Sequence, residues 1–503
     1  MVAALTAIIN SHVFGAAPRS REFLAYIVSE QVAGRGDRLT EHAVARHALG
    51  RSEFDGRLDS SVRVQAKRLR TALARYYKAE GSGDTVRISL PVGSYRPAIA
   101  RFLPDRFGLS SDDEAVVAVL QFDADGAESL LISATMCDAI AGRLADFPGL
   151  QVVGPASVAH GEVGAASLAL GARFVLQGTV SIADASVLLE ATLTDAFSGD
   201  VVHHASESTP RGAFDAMWLE DRWSAAIAGQ IGDSTGVIFR SDLRRRQHPD
   251  ATVYAARLAY TDYVMKGTSE SVAAAADALD RALEGGRHAD LLAMRGAVHN
   301  AQMNQGDAPH SPESHLRCAE ALAHEALADD PHCAHAYLVL GGAAWQSQQW
   351  DMAHSHSAQA VRLAPFHPTV LMSAGNVMAL AGDWEGGLQV MRRGFRLNPL
   401  HPGYAHAVPA IACLVAGDDA GALAEACMIH APGQLWGPLY RSLALAGLGY
   451  LEQARAEMSQ VLEIQPSFLD DPAGYFTSSA RLSPAQLQTL LAHFEPFIAD
   501  RPG

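Results

Sequence analysis

Cysteine is scarce in this sequence: five occur in 503 residues, at Cys137, Cys318, Cys333, Cys413 and Cys427, and no two are spaced C-x-x-C. An odd count without close pairs argues against a disulfide framework and predicts buried free thiols in a reducing compartment. Long apolar runs are missing too; none approaches the roughly 18 residues that would cross a bilayer. The start, Met1 to Phe14, is mildly apolar but has no basic leader, and Gly15-Ala16-Ala17 runs straight into Pro18-Arg19-Ser20-Arg21. It is expected to be the first helix of a domain rather than a signal peptide, in a cytoplasmic protein with no membrane partner. Constellations that carry chemistry are absent as well. No nucleophile, base and orienting group stand at a recognisable spacing, no G-x-G-x-x-G follows a strand, and His160, His203 and His204 are not spaced with carboxylates as metal ligands would be. The expectation is a protein that is not an enzyme and holds neither cofactor nor metal.

Apolar residues, by contrast, make up 49% of the chain and charged residues 19%. That is the balance of folded domains with sizeable cores, and the length allows roughly three of about 150 residues. The formal charge of −16 is unevenly spread. Residues 1–103 hold 16 Lys+Arg against 9 Asp+Glu, whereas the remainder holds 23 against 46. A basic leading piece on an acidic body implies that only the first piece meets a polyanion.

Within residues 1–103, helical periodicity runs from about Arg19 to Ala33, with Phe23, Ile27, Val28 and Val32 on one face, and a short helix follows from Glu41 to Leu49. Asp59 or Ser60 is an N-cap candidate for a helix over about Ser61 to Ala79. In that helix Val62, Ala66, Leu69, Leu73 and Tyr76 form an apolar stripe. Arg63, Lys67 and Arg70 recur on a neighbouring face, with Arg68, Arg75 and Lys78 nearby, and no acid intervenes until Glu80. Such a helix suits a major groove, whose phosphate walls attract Lys and Arg. Thr85 to Leu90 then alternates as a strand, Pro91-Val92-Gly93 turns, and Ser94-Tyr95-Arg96 is expected to return as the second strand of a wing.

The residues Val62-Arg63-Val64, Arg68-Leu69-Arg70, and the wing from Val86-Arg87-Ile88 to Gly93-Ser94-Tyr95-Arg96 resemble the OmpR/PhoB-type winged helix in its CadC-like relatives. Phe23-Leu24, Gly34 to Leu39, Phe54-Asp55, Asp59 and Ala74 to Tyr77 resemble a bacterial variant fused to repeat domains. The sequence departs from the pattern at Ser60-Ser61, where a Pro near the helix start is expected. The resemblance covers nearly all of residues 5–100 and implies that the helix 61–79 is a recognition helix. Arg63, Val64 and Lys67, in its N-terminal half, are then candidates to read bases. Arg68, Arg70, Arg87 and Arg96 are expected to hold phosphates, and Arg75 is a further DNA-binding candidate.

Residues 104–247 alternate strand and helix patterns, as in a small α/β domain. Ala115 to Phe122 is a near-continuous apolar run, followed by a helix from about Leu130 to Asp146 and strands at Leu150–Val153, Arg173–Gly178, Val187–Leu193 and Asp200–His203. A short helix is expected over Ala165 to Leu170, a longer one from Phe214 to Ile231, and a basic link from Arg240 to Arg246. Val117 to Phe122, Leu170 to Gly178, and Leu193-Thr194-Asp195 with Ser198-Gly199 look like the TolB amino-terminal-like domain, which implies a binding or assembly module.

Residues 248–503 carry a repeat. Pro331, Pro365, Pro399, Pro432 and Pro466 are spaced 34, 34, 33 and 34 residues apart, and Gly341 and Gly375 are 34 apart. Tyr337, Leu340, Gly341, Ala353, Ala360 and Pro365 resemble the tetratricopeptide pattern. About six helix pairs are expected from near Ala251, interrupted by a connection at Gln305 to Glu313 and capped by a helix from about Ser483 to Phe494. Small residues let paired helices approach, and neighbours stack into an α-solenoid whose groove takes a protein or peptide. His332, His335, His354, His356, His367, His401 and His406 read as groove and loop residues, and Trp345, Trp350, Trp384 and Trp436 as helix packing.

The fold expected is therefore multidomain and mainly α: a winged-helix DNA-binding domain at 1–103, a TolB-like mixed domain at 104–247 and a tetratricopeptide-like α-solenoid at 248–503. The function expected is transcription regulation on duplex DNA, with a protein or peptide as signal and a homodimer as a compatible assembly. The competing expectation is a non-enzymatic interaction scaffold.

Overall fold

The structure, a computed structural model, describes residues 2–15, 17–32, 35–50, 59, 61–78, 80–81, 86–90, 95–101, 114–155, 171–183, 186–196, 199–211, 219–245, 252–303, 311–430 and 434–498. The described chain is mainly α-helical with a small mixed sheet.

The N-terminal elements are α1 (Val2–Ile9), α2 (His12–Gly15), α3 (Pro18–Val32), α4 (Glu41–Ala48), α5 (Ser61–Lys78) and the strands β1 (Val86–Ser89) and β2 (Ala98–Arg101). The apolar stripe of α5 closes the core as its spacing requires: Val62, Ala66, Leu69, Leu73 and Tyr76 are buried with Phe14, Phe23, Ile27 and Ile88. Asp59 supplies the start of α5, its Oδ1 accepting from the Ser61 N–H at 2.8 Å. Thr40 does the same for α4, accepting from the Ala43 N–H at 3.2 Å. The hairpin is antiparallel, with Val86 opposite Arg101 and Ile88 opposite Ile99. The returning strand is therefore 98–101, not 94–96 as expected. Pro97 has no N–H to give to a ladder, so pairing resumes only beyond it. Tyr95 instead packs its ring on Phe23, 6.4 Å between centroids.

The mixed region contains β3 (Ala115–Val119), β4 (Asp123–Ala124), α6 (Ala127–Ala145), β5 (Leu150–Val153), β6 (Phe174–Ile182), β7 (Ser186–Asp195) and β8 (Asp200–Pro210). Its sheet runs β5-β3-β6-β7-β8, with β4 also on β6. β3 and β6 are parallel, and β6, β7 and β8 form an antiparallel meander. The continuous apolar run at β3 is buried throughout, while β7 alternates, with Val187, Leu189, Ala191 and Leu193 inside. β8 extends to Pro210, well past the expected end at His203. The helix expected at Ala165 to Leu170 lies outside the described residues.

A π-helical turn (Leu219–Ser224) leads to α7 (Ala225–Gly232) and α8 (Val237–Arg245). The expected basic link from Arg240 is thus helical to Arg245. Its reason is a buried face: Ile238, Ser241 and Asp242 are spaced i, i+3, i+4 and are each nearly inaccessible. Asp242 Oδ2 accepts the Tyr254 hydroxyl proton at 2.8 Å.

Helix pairs follow: α9 (Val253–Lys266) with α10 (Ser269–Gly285), α11 (Ala289–Gln302) with α12 (Pro312–Asp329), α13 (Ala334–Gln346) with α14 (Trp350–Leu363), α15 (Pro368–Leu380) with α16 (Trp384–Leu397), α17 (Ala407–Ala416) with α18 (Asp419–Cys427), and α19 (Trp436–Gly447) with α20 (Leu451–Ile464). The connection at 304–310 lies outside the described residues. Left-handed residues recur at the turn inside successive pairs: Gln348 (φ 56), Gly382 (φ 111), Gly417 (φ 76) and Gly449 (φ 82). Gly375 and Gly387 let α15 and α16 touch; a Cβ on Gly375 would stand 2.6 Å from the Gly387 carbonyl oxygen. The chain ends with α21 (Pro472–Ser479), α22 (Pro484–Ala492), opened by a Ser483–Gln486 capping box, and α23 (Glu495–Ile498). They bury Phe476, Leu490 and Phe494 with Leu414, Leu443 and Val461.

Contacts group the chain into two units. One comprises Met1–Ser111, Ala115–Gly142 and Gln151–Phe214; the other comprises Asp112–Glu114, Arg143–Leu150 and Asp215–Gly503. Helices α7 and α8, which the sequence places before a boundary at 247, group with the helix pairs. Asp233, between them, is the reason. Its carboxylate accepts from the Thr235 N–H and hydroxyl and from the Thr369 N–H (3.1 Å) and hydroxyl (2.7 Å), which ties the joint to the start of α15. No helix among the described residues is long and apolar enough to cross a membrane.

Candidate nucleic-acid interface

At 100° per residue, the side chains of α5 separate cleanly. Val62, Gln65, Ala66, Leu69, Ala72, Leu73 and Tyr76 are buried. Arg63, Val64, Lys67, Arg68, Thr71 and Arg75 are exposed, and they fill one arc of about 140° on the opposite side. Four of the six are cations and none is an anion. Val64, 44% exposed, stands among them as an apolar side chain. The acid that ends the run, Glu80, is turned away: its carboxylate accepts from the His12 and Val13 N–H groups, at 3.0 and 3.2 Å.

The cations differ in their commitments. Arg63 Nε donates to Glu41 Oε1 at 3.1 Å, with the two side chains 56% and 28% exposed. A pair this exposed contributes at most about 1 kcal/mol, so a phosphate can compete for the guanidinium. Arg70 lies at the edge of the arc, and its Nε donates to the Leu90 carbonyl at 2.8 Å. It therefore pins the end of β1 to the helix, a task the spacing did not reveal. Arg96 Nε donates to Gln31 Oε1 at 3.1 Å. Lys67, Arg68 and Arg75 have no acidic partner among the described residues. The backbone of Arg87 is in β1, opposite Ala100; its side chain lies outside the described residues. The structure thus brings Arg63, Val64, Lys67, Arg68 and Arg75 onto one surface, and ties Arg70 to the end of β1 and Arg96 to Gln31 of α3. Glu41, Gln31 and the Leu90 carbonyl have no sequence signal as partners, because each is far from its cation along the chain.

Elsewhere the ionisable groups are mostly built into packing. Burial pushes the Cys137 thiol up to about 12 and Cys333 to about 11, whereas Cys427 is exposed, against the expectation of buried thiols. Cys427 is the last residue of α18, beside the buried Ala426. His406 Nδ1 bonds Glu425 at 2.6 Å, His401 Nδ1 bonds the Asn398 carbonyl at 3.0 Å, and the two Nε2 atoms meet at 3.0 Å. Burial lowers the pKa of His401. His367 stacks on Phe147 at 4.2 Å, and burial lowers its pKa to about 4. His335 is lowered by burial as well. These two histidines line a narrow cavity with Phe147, Asp233, Phe239 and Arg257, which has room for about one or two waters. Among the described residues no group of three His, Cys, Asp or Glu is arranged to hold a metal ion.

No family model matches the chain, and no curated protein matches it.

Proposed function

We propose that the chain is a non-enzymatic transcription regulator that binds duplex DNA through α5 and the β1–β2 hairpin, in the manner of a winged helix. The reading extends to a middle TolB-like module and to tetratricopeptide-like pairs that receive a protein or peptide signal. One observation carries it: the exposed arc of α5 holds Arg63, Lys67, Arg68 and Arg75 without an intervening acid, while the opposite arc fills the core. A helix with a cationic arc on one side and its buried face on the other suits a groove walled by phosphates. Arg63, Val64 and Lys67 lie in the first two turns, where bases are read, and Arg68 and Arg75 flank them as phosphate contacts.

Binding of the full chain to duplex DNA, followed against salt, tests this. The two phosphate contacts, Arg68 and Arg75, predict roughly a tenfold loss of affinity between 50 and 200 mM salt. Affinity that is equal at the two concentrations, or absent at both, overturns the reading.

A further inference from the structure

One cation on the exposed arc of α5 differs from its neighbours. Arg63 Nε donates to Glu41 Oε1 at 3.1 Å, whereas Lys67, Arg68 and Arg75 have no acidic partner among the described residues. Glu41 is itself held in place. It is the first residue of α4, where the helix dipole favours an anion. It also accepts the hydroxyl proton of Tyr95; burial, and then the Glu41 charge, hold that hydroxyl above its ordinary pKa. The Tyr95 ring in turn packs on the buried Phe23 of α3 at 6.4 Å. Core aromatic, hydroxyl, carboxylate and guanidinium thus form one chain of contacts from the interior to the exposed arc.

That chain changes what Arg63 offers to DNA. A cation holds phosphate through its net charge and the counterions it displaces. Arg63 and Glu41 together carry no net charge, so a phosphate that takes this guanidinium must push a carboxylate aside. A base edge asks for something else, namely donors at fixed positions. A carboxylate on Nε supplies that fixing, and an exposed pair orients the side chain without locking it. The planar fork of a guanidinium matches the O6 and N7 acceptors of guanine, which no other base presents together in the major groove.

Resting on the reading of α5 as a DNA-binding helix, we propose that Glu41, buttressed by Tyr95, is a positioning residue that commits Arg63 to a base, and that the base is guanine. Arg63 lies in the first turn of α5, so the partner narrows from duplex DNA at large to sites that place a guanine beneath that turn. Arg68 and Arg75, which have no acid, keep the phosphate role.

Selection of bound sequences from a random duplex pool by the full chain, followed by affinity measurements against salt, tests this. Arg63→Ala is expected to erase a preference of about tenfold or more for guanine at one position of the selected site. Glu41→Gln, which keeps the shape and removes the charge, should bring that same preference below about threefold and leave the other positions as they are. It should also make the loss of affinity for unselected duplex between 50 and 200 mM salt about threefold larger, the share of one added phosphate contact. Tyr95→Phe keeps the ring on Phe23 and should weaken the guanine preference by about threefold, as the loss of one hydrogen bond to the carboxylate. A merely structural role would lower stability without singling out one base position. A chain that binds no duplex overturns this proposal together with the reading it rests on. A chain that binds duplex while Glu41→Gln keeps both the guanine preference and the wild-type salt dependence overturns this proposal alone, as does a preference lost in Arg63→Ala that is for another base.

Discussion

Arginine serves opposite ends in the two units. In the helix pairs, cations meet acids. Arg257 is 2.7 Å from Asp290, Arg295 is 2.7 Å from Asp280, Arg441 is 2.9 Å from Glu457, and Arg287 reaches both Glu325 and Asp329. On α5, Lys67, Arg68 and Arg75 face outward with no acid among the described residues, and the exposed Arg63 pairs with the half-buried Glu41. A cation with a partner from a different helix fixes how two helices sit. A cation without one leaves its charge to the solvent, or to whatever polyanion arrives. The comparison teaches that a charge count alone does not separate structure from function; the partner list does.

That contrast can be broken most severely at Arg257. Its side chain is only 9% exposed and its partner Asp290 17%, so Arg257→Ala leaves a carboxylate stranded and should cost about 3–5 kcal/mol. Chemical denaturation of the helix pairs measures this, and a loss under about 1 kcal/mol would move Arg257 out of the architectural class. Acid should act next. His367 is held neutral by burial at a pKa of about 4 against its ordinary 6.5, and His335 is lowered in the same sense. The folded state resists protonation, so the stability is complete above pH 6.5 and is lost as pH falls toward 4, on the order of 3 kcal/mol for His367. His367→Gln should flatten that part of the profile; an unchanged slope would show that other groups carry it.

A smaller effect on stability, with a large one on binding, is expected from the opposite class. Lys67→Ala, Arg68→Ala and Arg75→Ala should each shift stability by no more than about 0.5 kcal/mol. Together they should reduce the salt slope of DNA binding by about 1.8, at roughly 0.9 for each of the phosphate contacts of Arg68 and Arg75. Thermal melts and the salt titration read the two sides. A triple variant that unfolds while its slope is unchanged would invert the comparison. The smallest change expected is at Gln348, which takes a left-handed conformation where the following pairs use glycine. Gln348→Gly should leave stability the same or raise it by up to about 1 kcal/mol, visible as a small rise in Tm.

Much of the N-terminal helix set could be read directly. The five-residue stripe of α5 was legible because its period matches the helix and nothing interrupts it, and each of those residues is buried. The hairpin was legible as a hairpin but not in register, since the decision rests on Pro97 and on which side of it the partners fall. The helical nature of Arg240 to Arg245 was hidden by its arginines, because Asp242 and Ser241 face inward toward partners such as Tyr254 that no local pattern announces. The role of Arg70 was hidden in the same way, its acceptor being a carbonyl twenty residues on.

Periodicity and composition by themselves determined the type and approximate place of most helices and strands, which face of α5 is apolar, and that the basic residues gather at one end of the chain. These are local properties, set by backbone geometry and by the cost of leaving apolar surface in water. Only the tertiary structure decided which of those cations are already spoken for, that α7 and α8 join the helix pairs through Asp233, and that β8 becomes the outer strand of its sheet. Each of these depends on a group distant in sequence, and a pairing across space leaves no period along the chain.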